Sequence, residues 1–223
     1  MTAKFLLSAI SKFLLGVLLV GILIFLPTGT IHFLNGWLLM TALFVPMFIA
    51  GIVLLLKNPA LLRKRLMAKE ENADQDLVVK LSGLMFIAAF AIAGLGYRFD
   101  WYRLPWGVSV AATVVFLLGY LLYAEVLREN AYLSRTIEVQ EGQEVVDTGL
   151  YHIVRHPMYG ATLLLFLSMP LILGSLYAFA IMLVYPLLIA KRIKGEETLL
   201  EEQLQGYREY KKKVKYRLIP FIW

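Results

Sequence analysis

The fold class predicted for this chain is an all-α integral membrane protein with about six transmembrane segments, and three observations carry that prediction. Of its 223 residues, 60% are hydrophobic and only 17% charged, a balance with positive mean hydropathy that soluble domains of this size seldom reach. Several apolar runs attain the roughly 20 residues that one spanning helix requires. The Lys and Arg residues gather beside those runs, where anionic leaflets attract them. The net charge of +6 therefore reads as membrane surface and not as nucleic acid. With no cysteine present, disulfides, thiolate metal sites and cysteine nucleophiles are excluded.

The opening stretch, Met1 to Leu26, carries Lys4 and Lys12 ahead of and within an apolar run. It resembles a signal peptide, but no small-residue cleavage site follows, so it is read as a retained first helix. Spans are expected at Phe5 to Leu26, Phe33 to Leu56, Leu81 to Tyr97 and Trp106 to Leu127, separated by polar or Pro/Gly-containing breaks. The run from Tyr159 to Ala190 is too long for one ordinary span. It is interrupted by Pro170, by Leu173-Gly174-Ser175 and by Pro186, which makes a tight helical hairpin the natural reading. Six segments follow, or five if the short halves of the hairpin do not both cross. Residues 1–128 then hold four spans, and residues 129–223 hold a loop, the hairpin and an amphipathic tail.

Orientation follows from the basic residues of the short loops. Lys57, Arg63, Lys64, Arg65 and Lys69 lie between the second and third spans, the loop before the second span has none, and the one after the third has Arg98 and Arg103. This places the first group, both termini and residues 128–158 on the cytoplasmic side. The tail after Ala190 adds nine more basic residues.

Polar residues concentrate in two of these cytoplasmic stretches. In the first, Thr136-Ile137-Glu138-Val139 and Glu144-Val145-Val146 have the composition of two short paired strands, followed by the turn signal Asp147-Thr148-Gly149. The second, Arg192 to Tyr216, reads as one helix with Leu199, Leu200, Leu204, Tyr207 and Val214 near one face, ending in a lysine cluster suited to lipid headgroups.

Candidate chemistry lies at the edges of the hairpin. Pro157 suits the first helical position, and His156 before it is pushed toward extended backbone. A helix N-terminus thus opens toward the cytoplasm beside Arg155 and His156, either as a site for a ligand carboxylate or simply as a positive anchor and an interfacial cap. Arg192 and Glu196 are four apart on one helix face. They form a solvated ion pair, or they present a carboxylate to a ribose hydroxyl or cation and a planar fork to a substrate carboxylate. Glu125 and Asn130 close the fourth span, where polar groups deserve a functional hypothesis. His32 reads as interfacial. No spacing suggests a metal site, a phosphate loop or a serine nucleophile.

The stretch Gly149-Leu150-Tyr151, Val154-Arg155-His156-Pro157-Met158-Tyr159, the turn at Leu173-Gly174-Ser175, then Arg192, Glu196-Glu197, Tyr207, Tyr210 and Arg217-Leu218-Ile219-Pro220 resembles the isoprenylcysteine carboxyl methyltransferase and phospholipid methyltransferase superfamily. Asn58-Pro59-Ala60-Leu61-Leu62 and Gly96-Tyr97-Arg98-Phe99-Asp100-Trp101 are similar to its bacterial branch, and a bacterial inner membrane is the implied location. The resemblance implies a membrane methyltransferase without a Rossmann domain, using S-adenosylmethionine. Tyr151, Val154, Arg155, His156, Pro157 and Tyr159 would line one side of the cofactor pocket, and Glu196, Glu197 and Tyr207 the other. Arg192 matches the arginine implied at the substrate; Glu196, set to offset the positive cofactor, and Asn130, from its place at the end of the fourth span, are the other residues expected at the reacting groups. The segment between the paired glutamates and Tyr207 is about a residue shorter than the eukaryotic pattern, with Gly206 directly before Tyr207. The acceptor, lipid-like or prenylated, is left open among a prenylcysteine, a phospholipid amine, a quinone-like phenol and a small thiol.

Two other functions compete. Membrane reductases of sterol-like or polyprenoid lipids share a related C-terminal architecture but use NADPH, and would need groups for its 2′-phosphate and a proton donor, parts open to Tyr207 or Tyr210 and the lysine tail. In a non-catalytic transporter or assembly factor, the His-Pro and Glu-Glu motifs would be caps and ion pairs.

Overall fold

A computed structural model describes residues 3–67, 73–133 and 139–223. Its helices in chain order are α1 (Ala3–Thr28), α2 (Leu34–Lys57), α3 (Pro59–Met67), α4 (Ala73–Arg98), α5 (Trp106–Glu129), α6 (Pro157–Ile172), α7 (Leu176–Met182), α8 (Tyr185–Gln203) and α9 (Tyr207–Lys213). Among the described residues, five helical stretches are long and apolar enough to cross a membrane: Lys4–Thr28, Leu34–Lys57, Asp76–Arg98, Trp106–Glu129 and Leu176–Gln203. The chain is thus an all-α, multi-pass membrane protein. The four N-terminal spans fall where the apolar runs place them; the first, third and fourth are extended by two to six residues, and the second is shifted by one.

The hairpin is asymmetric. Its first arm, α6, has 16 residues and rises about 24 Å, short of a hydrocarbon core of about 30 Å. Its second arm is continued by α8 beyond the break at Leu183-Val184. The turn between the arms is held by neighbouring spans. Asn35 of α2 donates to the Ile172 carbonyl at 2.7 Å and to Ser109 Oγ at 2.9 Å, and Ser109 of α5 donates to the Leu171 carbonyl at 3.1 Å. The Asn35 bond satisfies the Ile172 carbonyl at the end of α6, as an apolar setting demands, and Ser109 adds a second donor to the Leu171 carbonyl, which also accepts from Gly174 N–H at 3.0 Å. Leu104 N–H bonds the Gly174 carbonyl at 2.9 Å, and Ser175 Oγ caps α7 through Ala178 N–H. In α2, Pro46 removes one backbone donor, and the nearby Leu43 carbonyl accepts from Tyr120 of α5 at 2.7 Å.

Three expectations need correction. Between α2 and the third span lies an unforeseen helix, α3, capped by Asn58, whose Oδ1 accepts from Leu61 N–H at 3.1 Å. The tail is not one helix from Arg192 to Tyr216, because α8 ends at Gln203 and α9 restarts after Gly206, whose φ of 84° is left-handed. The apolar residues still converge, since Leu204, Tyr207, Tyr210 and Val214 form one buried cluster with Leu200 and Val145 packed on it. No strand forms at Glu144-Val145-Val146; Val145 packs on that cluster and Val146 on a second one formed by Val126, Leu133 and Tyr151. Thr136-Ile137-Glu138 lies outside the described residues, as does Lys69.

The helices alternate so that α3, the ends of α2, α5 and α8, the start of α6, and α9 share one end of the bundle. Arg65 of α3 bonds Tyr123 near the end of α5, and Asn130 beyond that end bonds Tyr151. This basic end carries the site.

Candidate functional site

The site is assembled from the turn preceding α6, the charged half of α8, and α9. Its floor starts with Glu129, the last residue of α5, whose Oε2 accepts from Leu150 N–H at 2.9 Å. Gly149 (φ 51°) lies so close that an added Cβ would fall on that carboxylate, so glycine is required both for the backbone conformation and for the space. The following 3-10 turn, Gly149–His152, presents Tyr151. Its hydroxyl accepts from Asn130 Nδ2 at 3.0 Å and its carbonyl accepts from Tyr210 at 2.7 Å. Asn130 Oδ1 accepts from Tyr132 N–H at 2.9 Å, so this residue positions Tyr151 while facing the cavity. Burial pushes the Tyr151 hydroxyl pKa up, against the Asn130 hydrogen bond, which lowers it.

Residues 155 and 156 run alongside residues 214–217 as an extended strap. Arg155 N–H bonds the Tyr216 carbonyl at 2.9 Å and His156 N–H the Arg217 carbonyl at 2.8 Å. The Arg155 guanidinium donates to the Val214 and Lys215 carbonyls at 2.7 and 2.8 Å, and its Nε donates to Glu197 Oε1 at 2.7 Å. The same oxygen lies 3.2 Å from His156 Nε2, and Glu197 Oε2 accepts from Arg217 Nε at 2.9 Å. Glu197 is 2% exposed, so one buried carboxylate ties α8, the start of α6 and the tail together. An ionised carboxylate only accepts, so His156 Nε2 carries a proton. This leaves Nδ1 facing Glu196 Oε1 at 3.9 Å.

Consecutive helical residues point about 100° apart, and Glu196 accordingly faces the cavity. Its Oε2 accepts from Tyr159 Oη at 2.6 Å, and Tyr159 Oη accepts from Arg192 Nε at 3.1 Å. Tyr159 thus bridges the two residues whose spacing drew attention in the sequence. The backbone N–H groups at the start of α6 are less open than expected: Tyr159 and Gly160 direct theirs at the His156 carbonyl at 3.1 and 3.4 Å.

These groups surround a cleft of about 860 Å³ counted out to its mouth, lined by Asn130, Tyr151, Arg155, His156, Tyr159, Arg192, Glu196, Tyr207 and Tyr210, with Leu133, Val145, Val146, Met158, Leu200 and Leu204 as apolar wall. Val154 and Pro157 are buried and, with Glu197, stand behind the wall. Tyr207 Oη is buried without a hydrogen-bond partner among the described residues. Burial pushes the Tyr207 pKa up, and the negative charges of Glu197 and Glu196 add to the shift against Arg155, which lowers it, so the group stays a hydrogen-bond donor. No cluster of metal-ligating side chains occurs among the described residues. The sequence reading assigned no role to Glu129 or Arg217, and gave Tyr210 one only in the competing reductase function. Arg217 and Tyr210 lay within the quoted motif; Glu129 gave no local signal.

Residues 108–206 match the family model described as phospholipid methyltransferase, a family of the isoprenylcysteine carboxyl methyltransferase-like superfamily. The resemblance read from the motifs is shown for that stretch, which takes in the cleft up to Leu204 and stops before Tyr207. A curated relative, the protein named Delta(14)-sterol reductase TM7SF2 of Mus musculus, is 31% identical over 91 residues, 40% of this chain and 22% of its own length. The chain therefore spans only about a fifth of that relative.

Proposed function

We propose that this protein is a membrane methyltransferase that draws its methyl group from S-adenosylmethionine and delivers it to a lipid-like or prenylated acceptor. The observation that carries the reading is the cleft itself, which lies largely within the segment matching a methyltransferase family. The residues fit the cofactor. Five tyrosines line the cleft, Tyr132, Tyr151, Tyr159, Tyr207 and Tyr210, and Glu196 contributes a carboxylate, a combination that suits a sulfonium cation. Tyr207 Oη, buried without a partner, is a donor awaiting an acceptor. Bound there, S-adenosylmethionine would supply an electrophilic methyl group, leaving as the thioether when a lone pair on the acceptor takes the methyl. The protein's own task is then to orient and to exclude water. Tyr151, Arg155, His156, Tyr159, Glu196 and Tyr207 hold the cofactor. Val154, Pro157 and Glu197 act from behind by fixing Arg155 and His156. Arg192, steadied by Tyr159, orients the acceptor, Glu196 offsets the positive charge, and Asn130 holds the Tyr151 hydroxyl. The basic end faces the cytoplasm by the positive-inside rule, and the acceptor arrives from the bilayer.

The similarity to a sterol reductase favours one second reading, an NADPH-dependent reduction of a polyprenoid lipid. It would require a cation for the 2′-phosphate, and both cations lining the cleft, Arg155 and Arg192, are already bonded within the protein. Isothermal titration of the detergent-purified protein with S-adenosylhomocysteine and, separately, with NADPH decides between them. Saturable binding of S-adenosylhomocysteine alone, weakened in Glu196→Gln, is the expected result, and binding of NADPH alone would replace the proposal with the reductase reading.

A further inference from the structure

Residues 216–223 fold into a hook whose exposed side chains are apolar. The N–H groups of Arg217, Leu218 and Ile219 converge on the Trp223 carbonyl at 3.0, 2.9 and 3.1 Å, closing the turn. Leu218 reaches Gly160 in the first turn of α6, and Leu218 and Trp223 pack against the core of the helical bundle. The hook therefore sits at the level where α6 enters the apolar layer, continuous with the lipid-facing surface. At its tip Phe221 is 87% exposed and Ile222 76%. Phe221 also has a φ of 65°, a left-handed conformation rare for a bulky side chain and, where it occurs, a pointer to function. Lys212 and Lys215 are exposed just upstream, which supplies the basic flank of an interfacial anchor.

The hook is not isolated from the cleft. Arg217 lies at its base, donates to Glu197 at 2.9 Å and stacks its guanidinium 5.3 Å from the Trp223 ring. Its carbonyl and that of Tyr216 receive the N–H groups of His156 and Arg155. We propose that the hook inserts Phe221 and Ile222 into the anionic leaflet at the basic end of the bundle, and that this insertion holds the strap that fixes Arg155 and His156 in the cleft wall. The coupling makes the order of the cleft wall depend on lipid charge, whichever reaction the cleft supports.

The chain lacks cysteine, so Ile222→Cys gives a unique attachment point for an environment-sensitive fluorophore, with Glu141→Cys in the exposed loop as the water-side control. In nanodiscs the hook probe should be quenched by lipid-borne spin labels and shielded from iodide, more so when phosphatidylglycerol is added to phosphatidylcholine. Amide exchange at residues 155 and 156 in the otherwise unmodified protein should slow with phosphatidylglycerol. Phe221→Asp should speed it by about tenfold or more, the shift expected for withdrawing one buried phenylalanine. Iodide access without lipid quenching would overturn the insertion. Shielding without lipid quenching would assign the tip to a second copy of the chain and overturn it equally. Insertion with amide exchange unmoved by either lipid charge or Phe221→Asp would overturn the coupling.

Discussion

Glu197 is the residue on which the cleft wall depends most, and the cost of removing it can be worked from its contacts. In Glu197→Ala the guanidinium of Arg155, 4% exposed, and the imidazole of His156, also 4% exposed, lose a buried carboxylate, whereas Arg217 at 27% recovers part of its loss in water. Breaking a buried ion pair from one side costs about 3–5 kcal/mol. The Val214 and Lys215 carbonyls still hold Arg155, which sets the expectation near 3 kcal/mol. At about 2–4 °C per kcal/mol for a chain of this size, the midpoint of thermal unfolding should fall by about 6–12 °C. Glu197→Gln keeps one acceptor oxygen but turns an amide N–H₂ toward the other cation, for an intermediate loss of about 1.5–3 kcal/mol. The control is Glu201→Ala, which removes a half-exposed ion pair with Lys211, worth no more than about 1 kcal/mol. Scanning fluorimetry in detergent reads all three, and a Glu197→Ala protein melting within about 2 °C of the parent would refute the tie between α8, α6 and the tail.

Other outcomes follow from single contacts. Tyr207→Phe should leave stability unchanged or raise it, because a buried unpartnered hydroxyl is removed, while weakening S-adenosylhomocysteine binding by up to about tenfold in titration; unchanged affinity would separate that hydroxyl from the ligand. Gly149→Ala should cost more than the about 1–2 kcal/mol of a left-handed alanine, because its Cβ meets Glu129, and it should be seen as a lower melting point with loss of binding. The hydroxyls of Tyr151, Tyr207 and Tyr210 all have raised pKa values, burial being the first cause in each. The folded state therefore holds protons that the unfolded state releases above about pH 10, so this contribution is complete below that pH. It is lost above it at about 1.4 kcal/mol per pH unit for each group, and melting curves between about pH 9 and pH 11 should show a progressive fall that Tyr207→Phe makes shallower.

What the sequence discloses and what it withholds divide along physical lines. Apolar runs with basic flanks mark the spans because a bilayer imposes one length on all of them, and the hairpin was legible from Pro170, Gly174 and Pro186 because a run of that length cannot cross once. The break between α8 and α9 was missed although Gly206 signals it, since the leucine and tyrosine spacing continues across the gap and the residues do share one cluster. Glu196 and Glu197 were both assigned to the cofactor pocket, yet neighbours on a helix point about 100° apart; Glu196 lines the cleft and Glu197 is buried behind it. Glu129 could not have been found locally, because its partner, Leu150 N–H, lies 21 residues away. The helix α3, by contrast, was available from Asn58-Pro59, a capping residue followed by proline.

The chemistry of the acceptor can be read through His156, given the proposed methyl transfer. A carboxylate or thiolate acceptor already holds the lone pair it needs, and orientation by Arg192 is sufficient. An amine or hydroxyl must lose a proton, and among the residues lining the cleft His156 Nδ1 is suited to accept it, because Nε2 donates to Glu197 and Nδ1 points toward Glu196. His156→Gln separates these cases, since its amide N–H can keep the donation to Glu197 and hold the wall while the base is lost. If the acceptor ionises unaided, kcat should stay within a few-fold of the parent and S-adenosylhomocysteine affinity should persist. If a proton must be removed, kcat should fall by about 10²–10⁴ at unchanged affinity. A fall in affinity matching the fall in kcat would remove His156 from proton transfer and leave it as part of the wall.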